Sequence, residues 1–197
     1  MPFKVKDYYF KKAKKEKFLA RSVYKLEEID HRFKILRKGF QVVDLGYYPG
    51  SWIQYTSAVV GASGLVVGID LKMVNEQVLG LKNVRLFEKD FFEIRNLAQL
   101  GVSTPFDVLL SDMAPNTTGI RSMDQDRSLN LVEGIFTLLP RFLKEGGNLV
   151  IKVFESQRAQ DFLRQQRKLF DEFHYLRPRS TRSVSKEFFV IGKKYVA

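Results

Sequence analysis

Apolar residues in this chain of 197 residues fall into short unbroken runs, and amphipathic stretches separate one run from the next. Val42-Val43-Asp44-Leu45-Gly46, Val66-Val67-Gly68-Ile69-Asp70 and Leu109-Leu110-Ser111-Asp112 are apolar nearly throughout, and each carries an aspartate near or at its end. Alternation of apolar and polar positions would mark a strand with one wet face; a continuous run marks a strand buried on both. The pattern predicts strands at 41–45, 66–70, 83–87, 106–111, 148–154, 172–176 and 187–191. Between them, helical spacing predicts helices at 22–33, 51–60, 124–143 and 157–170. In the first of these Val23, Leu26, Ile29 and Phe33 share a face, with Lys25 near its edge. Lys144-Glu145-Gly146-Gly147 reads as a helix stop. Strand and helix taking turns give an α/β fold: a Rossmann-like, doubly wound, mostly parallel seven-stranded sheet with helices on both faces and right-handed crossovers.

Such a sheet binds its ligand beyond the carboxyl ends of the strands, where the strand order reverses. Asp44, Asp70, Asp90 and Asp112 all fall at predicted strand ends. A single aspartate there is more often a helix cap or a loop hydrogen bond. Four on successive strands point to a site. Gly46 and Gly50 let the first loop pass close to a ligand, Asp70 is placed to accept from ribose hydroxyls, and Asp90 to receive an adenine amino group. An adenosine-containing cofactor fits this set. The loop lacks the G-x-G-x-x-G of dinucleotide enzymes, and no G-x-x-x-x-G-K-[ST] occurs, so nicotinamide and nucleoside triphosphate lose ground.

Charge then identifies the partner. Lys and Arg number 33 against 22 Asp and Glu, a net charge of +11. That excess attracts a polyanion, nucleic acid ahead of an acidic membrane. Thirteen of these cations, from Lys4 and Lys6 to Arg37 and Lys38, crowd residues 1–38, interleaved with Phe3, Tyr8, Tyr9, Phe10 and Phe18. Cations on phosphates and rings on unpaired bases are the usual division of labour on RNA; individually, the rings are as readily explained by packing on the core. We therefore expect one domain over 1–197 with a basic RNA-binding segment at about 1–38. There is no cysteine, which excludes disulfides, a thiol nucleophile and cysteine-based zinc sites. His31 and His174 form no metal-ligand pattern, and no metal is expected. No apolar run approaches the roughly 20 residues that cross a bilayer. The expectation is a cytoplasmic monomer without a membrane association or an obligate protein partner.

The motifs themselves resemble the FtsJ (RrmJ) family of S-adenosylmethionine-dependent ribose 2′-O-methyltransferases. The family's first motif is similar to Asp44-Leu45-Gly46 through Pro49-Gly50-Ser51-Trp52, and its fourth to Ser111-Asp112-Met113-Ala114-Pro115-Asn116, with Gly119 and Asp124 continuing the match. Its Lys-Asp-Lys-Glu tetrad falls, in order, on Lys25, Asp112, Lys152 and Glu187. The resemblance runs from about residue 20 to the end. It implies a class I methyltransferase fold, S-adenosylmethionine as cofactor with Gly50, Trp52, Asp70, Asp90 and Asp112 as its contacts, and RNA as substrate. The compact length with a short basic N-terminus looks most like the bacterial form acting on a uridine of large-subunit ribosomal RNA. The same chemistry on transfer RNA is the alternative, and a third reading is an RNA-binding or ribosome-assembly protein that keeps the fold without turnover. One departure from the family stands out: Tyr47, Tyr48 and Ser51 occupy positions that usually hold small residues and a second glycine. The two phenol rings either crowd the methionine end of the cofactor or turn outward; retention of Gly46, Pro49, Gly50 and Trp52 favours the outward course.

Such a tetrad suits the reaction. A ribose hydroxyl is barely acidic, and a sulfonium methyl moves by in-line displacement, so oxygen, carbon and sulfur must be aligned and the hydroxyl helped to lose its proton. Lys152 is the candidate for that help. An ordinary lysine is protonated at neutral pH and is a poor base, although as a cation it stabilises a developing alkoxide. The sequence leaves both forms open. Lys25 and Glu187 are assigned to orienting Lys152 and the ribose, and Asp112 to both the tetrad and the cofactor. A lysine between Leu149-Val150-Ile151 and Val153-Phe154 is costly to bury without partners, which argues against a mere snorkelling side chain.

Overall fold

The computed structural model describes residues 8–72, 75–115 and 118–196. Phe3, Lys4, Lys6 and Asn116, named above, lie outside them. The chain runs α1 (Tyr8–Lys15), α2 (Val23–Phe33), β1 (Gln41–Leu45), α3 (Ser51–Val60), β2 (Leu65–Asp70), α4 (Glu76–Leu79) and β3 (Val84–Glu88). Two 3₁₀ turns, Phe91–Glu93 and Leu97–Leu100, precede β4 (Phe106–Ser111). Then come α5 (Arg121–Phe142), β5 (Leu143–Phe154), α6 (Gln157–Gln166), a 3₁₀ turn at Arg167–Leu169, β6 (Phe170–Leu176) and β7 (Glu187–Tyr195).

The strands form one seven-stranded sheet in the order β3-β2-β1-β4-β5-β7-β6. β1 to β5 are parallel neighbours. β7 is antiparallel to both β5 and β6. Continuous apolar runs did mark strands buried on both faces: Val42 to Leu45 and Val66 to Ile69 are buried without a break. On one face Leu26 and Ile29 of α2 and Ile53 of α3 pack against Val42, Val66, Val150 and Phe189. On the other, α5 and α6 lay Leu129, Phe136, Leu139 and Leu163 over Val43, Leu109, Ile151 and Val190. The strand order reverses between β1 and β4, so the crevice at their carboxyl ends is the place for a ligand.

Several predicted boundaries move. The long helix starts at Arg121 and stops at Phe142. Lys144-Glu145-Gly146-Gly147, expected to be its stop, lies inside β5 instead. The pairing steps from Phe106 opposite Leu143 to Val108 opposite Asn148, so the glycine pair forms a bulge with Gly146 at φ 74°. Ladder hydrogen bonds on either side hold the strand across it. The polar helix predicted to reach residue 170 gives way at Gln166, because Phe170 is buried and opens β6 opposite Tyr195. Unforeseen in the basic N-terminal block, α1 is a helix that buries Ala13 against Val23 and Tyr24.

Candidate active site

Four elements deliver the predicted tetrad to one place. Lys25 stands in the first turn of α2 and Asp112 follows β4. Lys152 lies two residues before the end of β5, opposite Phe189, and Glu187 opens β7 opposite Phe154. Side chains alternate across a strand, so Lys152, Phe189 and Glu187 share the face that α2 covers. The Lys25 ammonium lies 2.5 Å from Glu187 Oε1 and 3.5 Å from Asp112 Oδ1. The Lys152 ammonium donates to the Asp112 carbonyl oxygen at 2.5 Å and lies 3.1 Å from Asp112 Oδ1. That carboxylate oxygen makes no hydrogen bond of acceptable geometry, so its contacts with the two ammonium groups are ionic. The Lys152 side chain is only 8% exposed. Burial by itself raises the Glu187 carboxyl, but the charge and hydrogen bond of Lys25, with the charge of Lys152 and a bond to Ser185, hold it below the usual value.

The aspartates at the strand ends make a different environment beside it. Asp44 is 2% exposed, and its Oδ2 has no hydrogen-bond partner. Burial first, then the charges of Asp112 and Asp70, raise its pKa well above the ordinary carboxylate value. Asp70 accepts from the Tyr48 and Lys72 amides, and Asp90 caps the 3₁₀ turn through the Phe92 amide. Asp70 and Asp90 therefore do local work as well, and retain acceptor capacity beyond it. Gly50 holds φ 112° at the entry to α3. The first intrahelical bond there runs from the Gln54 amide to the Gly50 carbonyl, so the amides of residues 51–53 precede the helical ladder. At Gly46 an added Cβ would lie 2.0 Å from Met113 Cγ, which binds the loop after β1 to the loop after β4.

Trp52, expected among the cofactor contacts, stands in the core. It is 3% exposed within the core, its ring 5.9 Å from Phe189, and its indole N–H donates to the Ser22 carbonyl. The Ser51 hydroxyl lies 3.0 Å from the Ser22 hydroxyl. Ser51 and Trp52 thus grip the residue that precedes α2, three positions before Lys25. The departure from the family at Ser51 supplies half of that grip. The two tyrosines divide. Tyr48 turns outward, 44% exposed, with the Lys72 ammonium over its ring. Tyr47 turns inward instead, 3% exposed, with its hydroxyl accepting from the Asn75 amide. Gly68 makes the space: a Cβ there would lie 2.9 Å from the Tyr47 ring. Sequence reasoning missed this fit, although a glycine inside an apolar strand is the usual sign of a close approach.

Beside the tetrad a hollow of about 360 Å³ is lined by Arg21, Ser22, Lys25, Arg182, Ser185 and Glu187. Burial and the neighbouring Arg182 charge lower the Arg21 pKa. Of the N-terminal rings, Tyr9 and Phe18 pack against Tyr24, whereas Tyr8 is exposed. Lys11, Lys14, Lys15 and Lys17 are exposed as well.

A sheet of this order with its site at the switch between β1 and β4 is the architecture of the Rossmann-like methyltransferases. It superposes on a ribosomal RNA methyltransferase of Plasmodium falciparum with a TM-score of 0.77 at 23% identity, covering 91% of this chain and 100% of that one. For an S-adenosylmethionine-dependent O-methyltransferase of Thermotoga maritima the TM-score is 0.58 at 16% identity, over 87% of this chain and 64% of that one. Sequence narrows the class. The FtsJ-like methyltransferase family model matches residues 18–195. The chain is 44% identical over 196 residues to the ribosomal RNA large subunit methyltransferase E of Bdellovibrio bacteriovorus, covering 98% of both. It is 42% identical over 187 residues to the protein of the same name from Desulfatibacillum aliphaticivorans, covering 95% of this chain and 89% of that one. The chain belongs to the FtsJ-like methyltransferase family.

Proposed function

We infer that this chain transfers a methyl group from S-adenosylmethionine to a ribose 2′-hydroxyl of large-subunit ribosomal RNA, with uridine the acceptor implied by the family resemblance. The observation that carries the reading is the ion-paired cluster of Lys25, Asp112, Lys152 and Glu187 beside the strand-end aspartates. The cofactor's ammonium and sulfonium are cations, and the strand ends offer Asp44 together with Asp70 and Asp112, whose charges both act against it. That charge set fits the group. Asp70 and Asp90 would hold its ribose and adenine, Asp112 its methionine end, and the amides at the start of α3, behind Gly50, its carboxylate. When bound, the cofactor supplies an electrophilic methyl group.

The protein's own residues do the rest. Lys152, fixed by the Asp112 carbonyl and carboxylate, faces the place where the hydroxyl sheds its proton and charge develops. Glu187 and Lys25 hold each other and orient the ribose. Arg21 and Arg182 line the adjoining hollow as two like charges, an arrangement that an RNA phosphate between them relieves. Tyr47 packs in the core and Tyr48 turns outward, so neither ring gives a reason to expect loss of turnover.

Transfer of labelled methyl from S-adenosylmethionine to undermodified large ribosomal subunits, their extracted RNA and bulk transfer RNA tests the reading. Label in a 2′-O-methylated nucleoside of the large-subunit RNA is expected. Label confined to transfer RNA would replace the substrate, and no label on any RNA would remove the reading.

A further inference from the structure

Across the sheet from the tetrad, on the α6 side, lies a second hollow of about 510 Å³. Its walls are Tyr175 and Phe188, its rim Glu155, Gln160, Arg164 and Arg177. The volume falls within the range of small-ligand sites. Tyr175 and Phe188 lie on the strand face opposite to Lys152, because Val153 pairs with Phe188 and Tyr175 with Val190. Glu187 belongs to this hollow and to the one beside the tetrad. The two hollows therefore meet at a tetrad residue, at the carboxyl end of the sheet.

The chemistry of the walls selects an occupant. Tyr175 is 50% exposed on a strand that is otherwise well packed at this end. Its ring is braced by Phe173 at 5.6 Å and Phe188 at 5.8 Å, which leaves a fixed aromatic surface open to the hollow. Burial raises the Tyr175 phenol, and the charges of Arg167 and Arg164 oppose that rise, so two guanidinium groups act on the phenol. Arg177 donates to the Ser185 carbonyl, which places a third at the rim. A flat ring beside cations is a surface for a stacked base with its phosphate, and Glu155 and Gln160 add an acceptor and an amide for the base edge. Arg164 also pairs with Asp161 and Arg177 also donates to the Ser183 carbonyl; a phosphate would add to these contacts, whereas an apolar protein segment would cover charged groups without using them.

We propose that this hollow binds the unstacked base of a nucleotide next to the methylated one, with Tyr175 as the stacking surface and Arg164 and Arg177 on its phosphate. The inference rests on the RNA methyltransferase reading and extends it. With the acceptor ribose at the tetrad on one face and its neighbour's base on the other, the RNA must be single-stranded where it passes Glu187. Specificity then includes local unpairing as well as the acceptor nucleotide.

The test uses short single-stranded RNA carrying the fluorescent base 2-aminopurine, titrated with the full chain. The wild-type protein is expected to quench the probe. Tyr175→Ala should lose most of that quench and bind roughly tenfold more weakly, since a stacked base contributes on that order. Tyr175→Trp should keep both, which separates stacking from a structural role. Quenching and affinity in Tyr175→Ala equal to wild type would overturn the proposal, as would a Tyr175→Trp protein no better than Tyr175→Ala. Methylation of assembled subunits slowed by Tyr175→Ala, with oligonucleotide binding unchanged, would assign the hollow to a ribosomal protein and overturn it too. The two readings fail separately: normal quenching by a wild-type protein that methylates no RNA removes the function, and intact methylation without Tyr175-dependent quenching removes the pocket alone.

Discussion

Asp44, buried, and Glu187, partly buried, are carboxylates at the same end of one sheet, and their surroundings push them in opposite directions. Glu187 sits in an alternating arrangement of charges, with Lys25 and Lys152 facing Glu187 and Asp112, and its pKa falls. Asp44 faces only like charge, Asp112 and Asp70, and its pKa rises. Burial acts on both in the same sense, so the partners decide. The four tetrad side chains pair with one another, whereas the charges acting on Asp44 are those of Asp112 and Asp70. In the proposed function the first group is the catalytic half and the second the half that a positively charged ligand would complete.

The strongest way to break that contrast is to remove a cation from the finished half. Lys152→Ala should lower turnover by about 10²–10⁴-fold, the range for loss of a positioned proton-transfer group, while cofactor and RNA affinities measured by calorimetry stay near wild type. Wild-type rates would end its assignment. A smaller, structural effect is expected at Gly68→Ala. The added Cβ meets the Tyr47 ring and Leu86, and overpacking of this kind costs roughly 1–3 kcal/mol. Denaturant unfolding should show the loss, and Tyr47→Ala in the same chain should relieve part of the clash.

The smallest and most discriminating effects concern pH. A raised folded pKa gives Asp44 a stabilising contribution that is full below the ordinary carboxylate value and lost as pH rises through the folded value. For Glu187 the lowered pKa reverses this: its contribution is present above the ordinary value and lost as pH falls through the folded one. Asp44→Asn should therefore raise the melting temperature of the cofactor-free protein at pH 7 and change it little near pH 3. Glu187→Gln should lower it at pH 7, with the deficit shrinking in acid. Parallel pH profiles for the two variants would contradict the contrast. Asp44→Asn should also weaken S-adenosylmethionine binding, because it removes a carboxylate from the cationic ligand's cluster.

Much of this arrangement was legible in the chain. Continuous apolar runs ending near aspartates fixed the parallel strands and the end of the sheet that carries the site, because burial on both faces leaves no room for alternation. The tetrad was named in order from motifs, and the structure places all four side chains within ion-pair reach of a neighbour. Boundaries that depended on local signals moved where pairing overrode them: Gly146-Gly147 promised a helix stop and became a bulge, and Phe170 left its helix for the ladder with Tyr195.

The amino-acid sequence by itself determined the chemistry: which carboxylates and lysines stand at strand ends, the excess of positive charge, and the family. Only the tertiary structure decided where rings and charges turn. Tyr47 points inward because Gly68, on the neighbouring strand, leaves space for it. Trp52 joins the core and holds Ser22, and so positions Lys25 from within the protein. Asp44 Oδ2 is buried without a hydrogen-bond partner, and the charges that act on the group are acidic, while Tyr175 opens into a hollow that no run of residues announces. Each of these depends on residues distant in sequence meeting across strands, and periodicity along one segment carries no record of such meetings.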